Sequence, residues 1–145
     1  MRYKMFFSIC LLLASVSVQA DVVLPQGRWT IAQVTIEKTI DGNTQTTIYN
    51  AIDVKSHIPY PQEWEIRDTQ TIVMRYADST EETAEYIIEG DQLTIMTSFA
   101  VQVYHFSIKN KKLILTITHN YVNNLPGHTE RISEKWTIIL KNKSS

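Results

Sequence analysis

The sequence predicts an all-β fold: an antiparallel up-and-down β-barrel of about eight to nine strands over residues 21–145, after an N-terminal signal peptide over residues 1–20. Three observations carry this. No window beyond residue 20 shows a 3.6-residue apolar period, whereas Thr, Ile, Val and Tyr recur in alternation, as in strands with one buried face. Three segments, 64–74, 86–96 and 106–116, each read as an aromatic, an isoleucine two places later, a polar turn and two alternating aliphatics, the pattern of a hairpin. Removing 20 of the 145 residues leaves 125, a length suited to one domain with one core.

The leader begins with Arg2 and Lys4, runs through the apolar stretch MFFSICLLLA and ends at Ala20, with Val18 two places before it. That order is a secretory signal peptide, and its apolar stretch is shorter than the ~20 residues that span a bilayer. The mature chain is therefore expected to begin at Asp21, to lack a transmembrane segment, and to reside in the periplasm or outside the cell. Cleavage removes Cys10, the single cysteine, and with it any disulfide, thiolate metal site or cysteine nucleophile. It also removes Arg2 and Lys4 from 14 basic residues, leaving 12 against 15 acidic ones and a formal charge of −3. A nucleic-acid partner, which needs a clustered basic face, is not expected.

Along the chain, Trp29 and Ile31 alternate before the phase jumps to Val34 and Ile36, which predicts a bulge near Ala32 and Gln33. The stretch TIDGNT at 39–44 carries an Asp-Gly turn of two or three residues, and one residue of slip moves Ile48 to the other face. In the three hairpins, tight turns set Ile66 opposite Ile72, Trp64 opposite Met74, Ile88 opposite Leu93, Tyr86 opposite Ile95, Ile108 opposite Leu113 and Phe106 opposite Leu115. All twelve are expected on the buried face. Glu65, Arg67, Glu85, Glu89 and Ser107 fall on the solvated one, and DSTEET at 78–83 reads as a solvated acidic loop. The last strand, within 131–141, puts Trp136, Ile138 and Leu140 on one face.

Connections at 50–62, 77–82 and 119–129 read as the longer loops of one barrel end. Nine strands are an odd number, so the first and last would run parallel on closure. Either eight strands close and the ninth is an addition, or residues 50–62 are miscounted.

The GRW of Gly27–Trp29 resembles the Gly-x-Trp motif with which lipocalins open, and Y-x-I-x-G-D-x-L-x-I at 86–95 is similar to hairpins in small secreted bacterial lipocalin-like proteins. The resemblance covers most of the mature chain as topology. It implies an antiparallel barrel whose apolar interior carries a small molecule, with Trp29 at the closed end and a basic residue held against it, for which Arg131 is the candidate. The simple meander instead puts Trp29 at the long-loop end. The chain lacks the C-terminal helix and the cysteine pair of larger family members.

Stacking the hairpins gives an aliphatic layer, then a mixed aromatic layer, then a polar one holding Gln62, Tyr76, Ala84, Thr97, Tyr104 and Ile117, with Gln102 facing His119 beyond it. Polarity thus rises toward loops bearing His57, Tyr60, Tyr121 and His128. Trp64, Tyr76, Tyr86, Gln102, Tyr104 and His119 are the candidate ligand contacts.

His57, His105, His119 and His128 have no metal-ligand spacing, and no Gly-x-Ser-x-Gly, phosphate loop or His-Glu-x-x-His occurs. No catalytic residue, metal or cofactor is therefore expected. The expected function is non-enzymatic binding of a small apolar or amphipathic molecule in the barrel. The alternative is a protein-interaction or inhibitor module with a filled core, using loops 50–62 and 119–129, where the prolines of HIPYPQEW stiffen the first loop.

Overall fold

A computed structural model describes residues 22–143, so the signal-peptide reading lies outside the described residues. Nine strands and one helix follow in order: β1 Gly27–Ile40, β2 Asn43–Asn50, α1 Ala51–His57, β3 Glu63–Ile66, β4 Thr71–Arg75, β5 Glu81–Glu89, β6 Gln92–Met96, β7 Val101–Lys109, β8 Lys112–Leu125 and β9 His128–Asn142. Every pairing is antiparallel. Strands β1 and β3–β9 close an eight-stranded ring through β1–β9, and β2 stands outside it. This architecture is compatible with a lipocalin-like fold. No helix among the described residues is long and apolar enough to cross a membrane.

The parity problem is solved in residues 50–62. β3 pairs with the first residues of β1 (Gly27–Thr30), and β2 pairs with its later part (Gln33–Ile40), both on the same edge and both antiparallel to it. The chain thus passes from β2 to β3 without reversing direction, and α1 makes that passage. Asn50 caps the helix, its Oδ1 accepting from Ile52 N at 3.0 Å and Asp53 N at 3.1 Å. Val54, fully buried, anchors it to the core. Seven residues are too few to display a helical period, so this segment read as loop.

The retained direction corrects the meander. β1 starts, and β9 ends, at the barrel end that holds the turns at 67–70, 90–91 and 110–111. Trp29 therefore enters from the tight-turn end, as the family resemblance implied. Its indole donates to Pro25 O at 3.1 Å. Arg131 is not beside it: Arg131 is exposed, and its backbone N–H donates to Asp41 Oδ1 at 3.1 Å near the opposite end of β1.

All six hairpin pairs expected from the sequence occur. Ile88 is half-buried and Ile108 is 41% exposed, since both sit beside tight turns where the barrel wall ends. The bulge falls where the phase jumped: Ile31 pairs with Leu140 and Gln33 with Ile139, leaving Ala32 extra. Asp41 and Gly42 form a two-residue turn, both at positive φ, and Ile48 faces out at 63% exposure.

Two further expectations about the strands fail. Barrel shear staggers the hairpins, so Ile72 faces Ala84 and Leu93 faces Tyr104, and the flat layers do not exist. Residues 119–129 are not a loop either. β8 and β9 continue as a ribbon from His119↔Glu134 to Leu125↔His128, turned by Pro126 and Gly127 alone.

Candidate ligand-binding site

The barrel interior is filled by its own side chains. Trp29, Trp64, Ile66, Ile72, Leu93, Ile95, Leu113, Leu115, Ile138 and Leu140 are each at most 2% exposed and belong to one cluster. Free space lies instead at the end opposite the tight turns. A cleft of about 230 Å³ is lined there by Pro59, Tyr60, Trp64, Met74, Tyr76, Glu82, Thr97, Phe99, Gln102 and Tyr104 among others. Through Pro59, Tyr60, Tyr76, Glu82 and Phe99 it adjoins an outer groove of about 810 Å³, whose further walls include Lys55, His57, Asp78 and Glu81.

The segment after α1 is fixed by its backbone. Ile58 N donates to Val54 O at 3.1 Å, Tyr60 N to Ile58 O at 2.8 Å and Gln62 N to Arg75 O at 2.7 Å. Pro59 and Pro61 limit the backbone on either side of Tyr60. The Tyr60 ring lies 6.2 Å from Trp64, stacked, and 6.3 Å from Trp136. Tyr104 meets Trp64 edge-on at 6.0 Å. Tyr104 Oη donates to Gln102 Oε1 at 3.0 Å, so the 3.1 Å bond between the two phenols runs from Tyr60 to Tyr104. On the other wall, Tyr76 Oη donates to Glu82 Oε2 at 3.1 Å.

These phenols stay protonated. Burial, then the adjoining Tyr104, holds Tyr60 well above its ordinary range. Burial also raises Tyr104 against the opposing effect of its bond from Tyr60. Burial and the bond to Glu82 push Tyr76 up to about 12. The cleft therefore presents neutral hydrogen-bonding hydroxyls and aromatic faces. Two polar atoms of residues that line it, Trp64 Nε1 and Glu82 Oε1, are buried and have no hydrogen-bond partner among the described residues.

Of the six residues expected to contact a ligand, Trp64, Tyr76, Gln102 and Tyr104 converge on this cleft. Tyr86 does not: its hydroxyl donates to Asp68 O at 2.7 Å in the β3–β4 turn, at the tight-turn end. His119 does not either. Pairing of β7 with β8 ends at His105↔Thr116, so Gln102 never faces His119, which is exposed opposite Glu134.

The sequence shows Tyr60 only as a loop residue and places Glu82 in an acidic loop. β5 in fact begins at Glu81, and Glu82 shares the inward parity of Ala84 and Tyr86. Counting back two residues from Ala84 is the signal that would have found it. Phe99, 93% exposed at the lip, has no such signal.

Outside the barrel, Glu63 and Glu65 flank Trp64 but are engaged by cations. Arg75 reaches them at 2.8 and 2.6 Å, and Lys143 reaches Glu63 at 3.0 Å. Burial opposes ionisation of Glu63, but the bonds from Lys143 and Arg75 outweigh it and hold its carboxyl below the usual range. The bond from Arg75 does the same for Glu65. They form a structural ion cluster on the wall.

Comparison of the chain with protein-family models, with curated proteins and with solved structures found no match.

Proposed function

We propose that this protein is a non-enzymatic, periplasmic or secreted lipocalin-like binding protein that takes a small amphipathic molecule at the mouth of its barrel rather than deep inside it. One observation carries the reading: the interior is packed, while a pre-formed aromatic cleft with convergent polar atoms opens beside it. Rigid walls support binding because few groups need ordering when a ligand enters. The cleft of about 230 Å³ lies below the ~300–1,000 Å³ of drug-sized sites, so the ligand is small or leaves part of itself in the outer groove.

The expected result in native mass spectrometry of mature protein drawn gently from a bacterial periplasm is a chain starting at Asp21, carrying a reproducible small adduct that denaturation removes. A chain that retains residues 1–20 contradicts the compartment. A bare mass that stays bare when small aromatic compounds are added contradicts the binding role.

A protein partner is the second reading, favoured by the apolar surface near the mouth, where Phe99 is 93% and Val101 66% exposed. Its contact elements are then α1 with residues 58–62 and the β8–β9 ribbon, in place of the two loops 50–62 and 119–129. Replacing Val101 with serine separates the readings: Val101 lines neither the cleft nor the outer groove, so the change should weaken a protein contact and leave small-molecule binding unaltered.

A further inference from the structure

We propose that the mouth cleft selects a small organic cation, an amine or ammonium head on an aromatic or aliphatic body, with Glu82 as its counter-charge. The inference rests on the binding role argued above and names the class of ligand.

Glu82 supplies the first reason. Its Oε2 accepts from Tyr76, a neutral phenol, and its Oε1 is buried with no partner among the described residues. A carboxylate oxygen withdrawn from water needs a donor, and a charged donor satisfies it best. The acids of the barrel wall show the contrast: Glu63 and Glu65 are met by Arg75, and Glu63 also by Lys143. Glu82 lines a cleft where a ligand can supply that charge.

The surroundings supply the second. Tyr60, Trp64, Tyr76 and Tyr104 line the same small space, and aromatic faces carry the negative lobe of the ring quadrupole. Together with a carboxylate they form a site that attracts cations and repels anions. On the adjoining groove Glu81 is paired with Arg75 and Asp78 stands with Lys55, so the preference for a cation is set by the cleft itself rather than by the way in.

Size and the second orphan atom narrow the ligand further. About 230 Å³ holds roughly seven or eight water-sized volumes at ~30 Å³ each, enough for a single-ring amine. Trp64 Nε1–H, also buried and without a partner among the described residues, calls for an acceptor such as a hydroxyl oxygen on the ligand body.

Three probes of one skeleton make the test: tyramine as the cation, its neutral alcohol analogue tyrosol, and the anion 4-hydroxyphenylacetate, each titrated calorimetrically into the mature protein and into Glu82→Gln. Tyramine should bind the wild type at least about tenfold more tightly than tyrosol, with 4-hydroxyphenylacetate weakest. Glu82→Gln should erase the preference for tyramine, bringing its affinity to within about threefold of that of tyrosol for the same variant. Equal binding of all three probes to the wild type overturns the charge assignment and leaves the binding role standing. Binding of none with Kd below about 1 mM overturns both. The wild-type comparison decides the matter even where the variant fails to fold.

Discussion

Trp29→Ala should destabilise the protein by about 3–5 kcal/mol, a fall in Tm on the order of 10–20 °C. Trp29 is 2% exposed, pairs across the sheet with Trp64 and is pinned by its indole bond to Pro25 O. It lies where β1 meets both β3 and β9, so the cavity left by alanine opens at the seam of the ring. The change should also weaken ligand binding, because Trp64 loses the neighbour that backs it. Chemical denaturation followed by far-ultraviolet circular dichroism measures the first effect. A loss below about 1 kcal/mol would mean that the barrel closes without Trp29.

Val54→Asp should cost about 3 kcal/mol and release α1. Val54 is fully buried, and its removal from the core forfeits roughly 1.5–3 kcal/mol, to which is added the cost of bringing a carboxylate against apolar walls. The helix has seven residues and cannot persist in water without its docking contact. Its release frees Ile58 and Tyr60, which pack on the core immediately after it. The expected signature is local: fast amide exchange over residues 51–62, loss of probe binding, and strands that remain protected. Protection of 51–62 equal to that of the wild type would show that Val54 does not seat the helix.

Legibility in the sequence followed the range of the interaction. The hairpin partners Trp64 and Met74, or Phe106 and Leu115, are set by adjacent turns and by a period of two, both local, and they were read correctly. The offset between hairpins comes from closing the ring, so nothing in the neighbourhood of Tyr86 announces that its hydroxyl reaches the tight-turn end rather than the mouth. The β8–β9 ribbon passed for a loop because Asn120–Leu125 is exposed on both faces and has no apolar alternation. α1 was hidden by its brevity, although Asn50 with Asp53 in the first turn, and Lys55 and His57 in the last, is the expected distribution of cap and charge. The site was half visible for the same reasons. Trp64, Tyr76, Gln102 and Tyr104 follow from strand parity, whereas Tyr60 reaches them only because α1 redirects the chain.

The central claim is that ligands bind at the mouth of a packed barrel, and the indole N–H resonances of the three tryptophans test it most directly. Trp29 donates to Pro25 O, Trp136 donates to Glu134 Oε2 at 3.4 Å, and Trp64 Nε1 has no partner among the described residues. Saturation of isotope-labelled protein with the tightest of the three probes should move the Trp64 signal strongly and leave that of Trp29 in place. A Trp64 signal that does not move, or one matched by an equal displacement of Trp29, would contradict a site at the mouth.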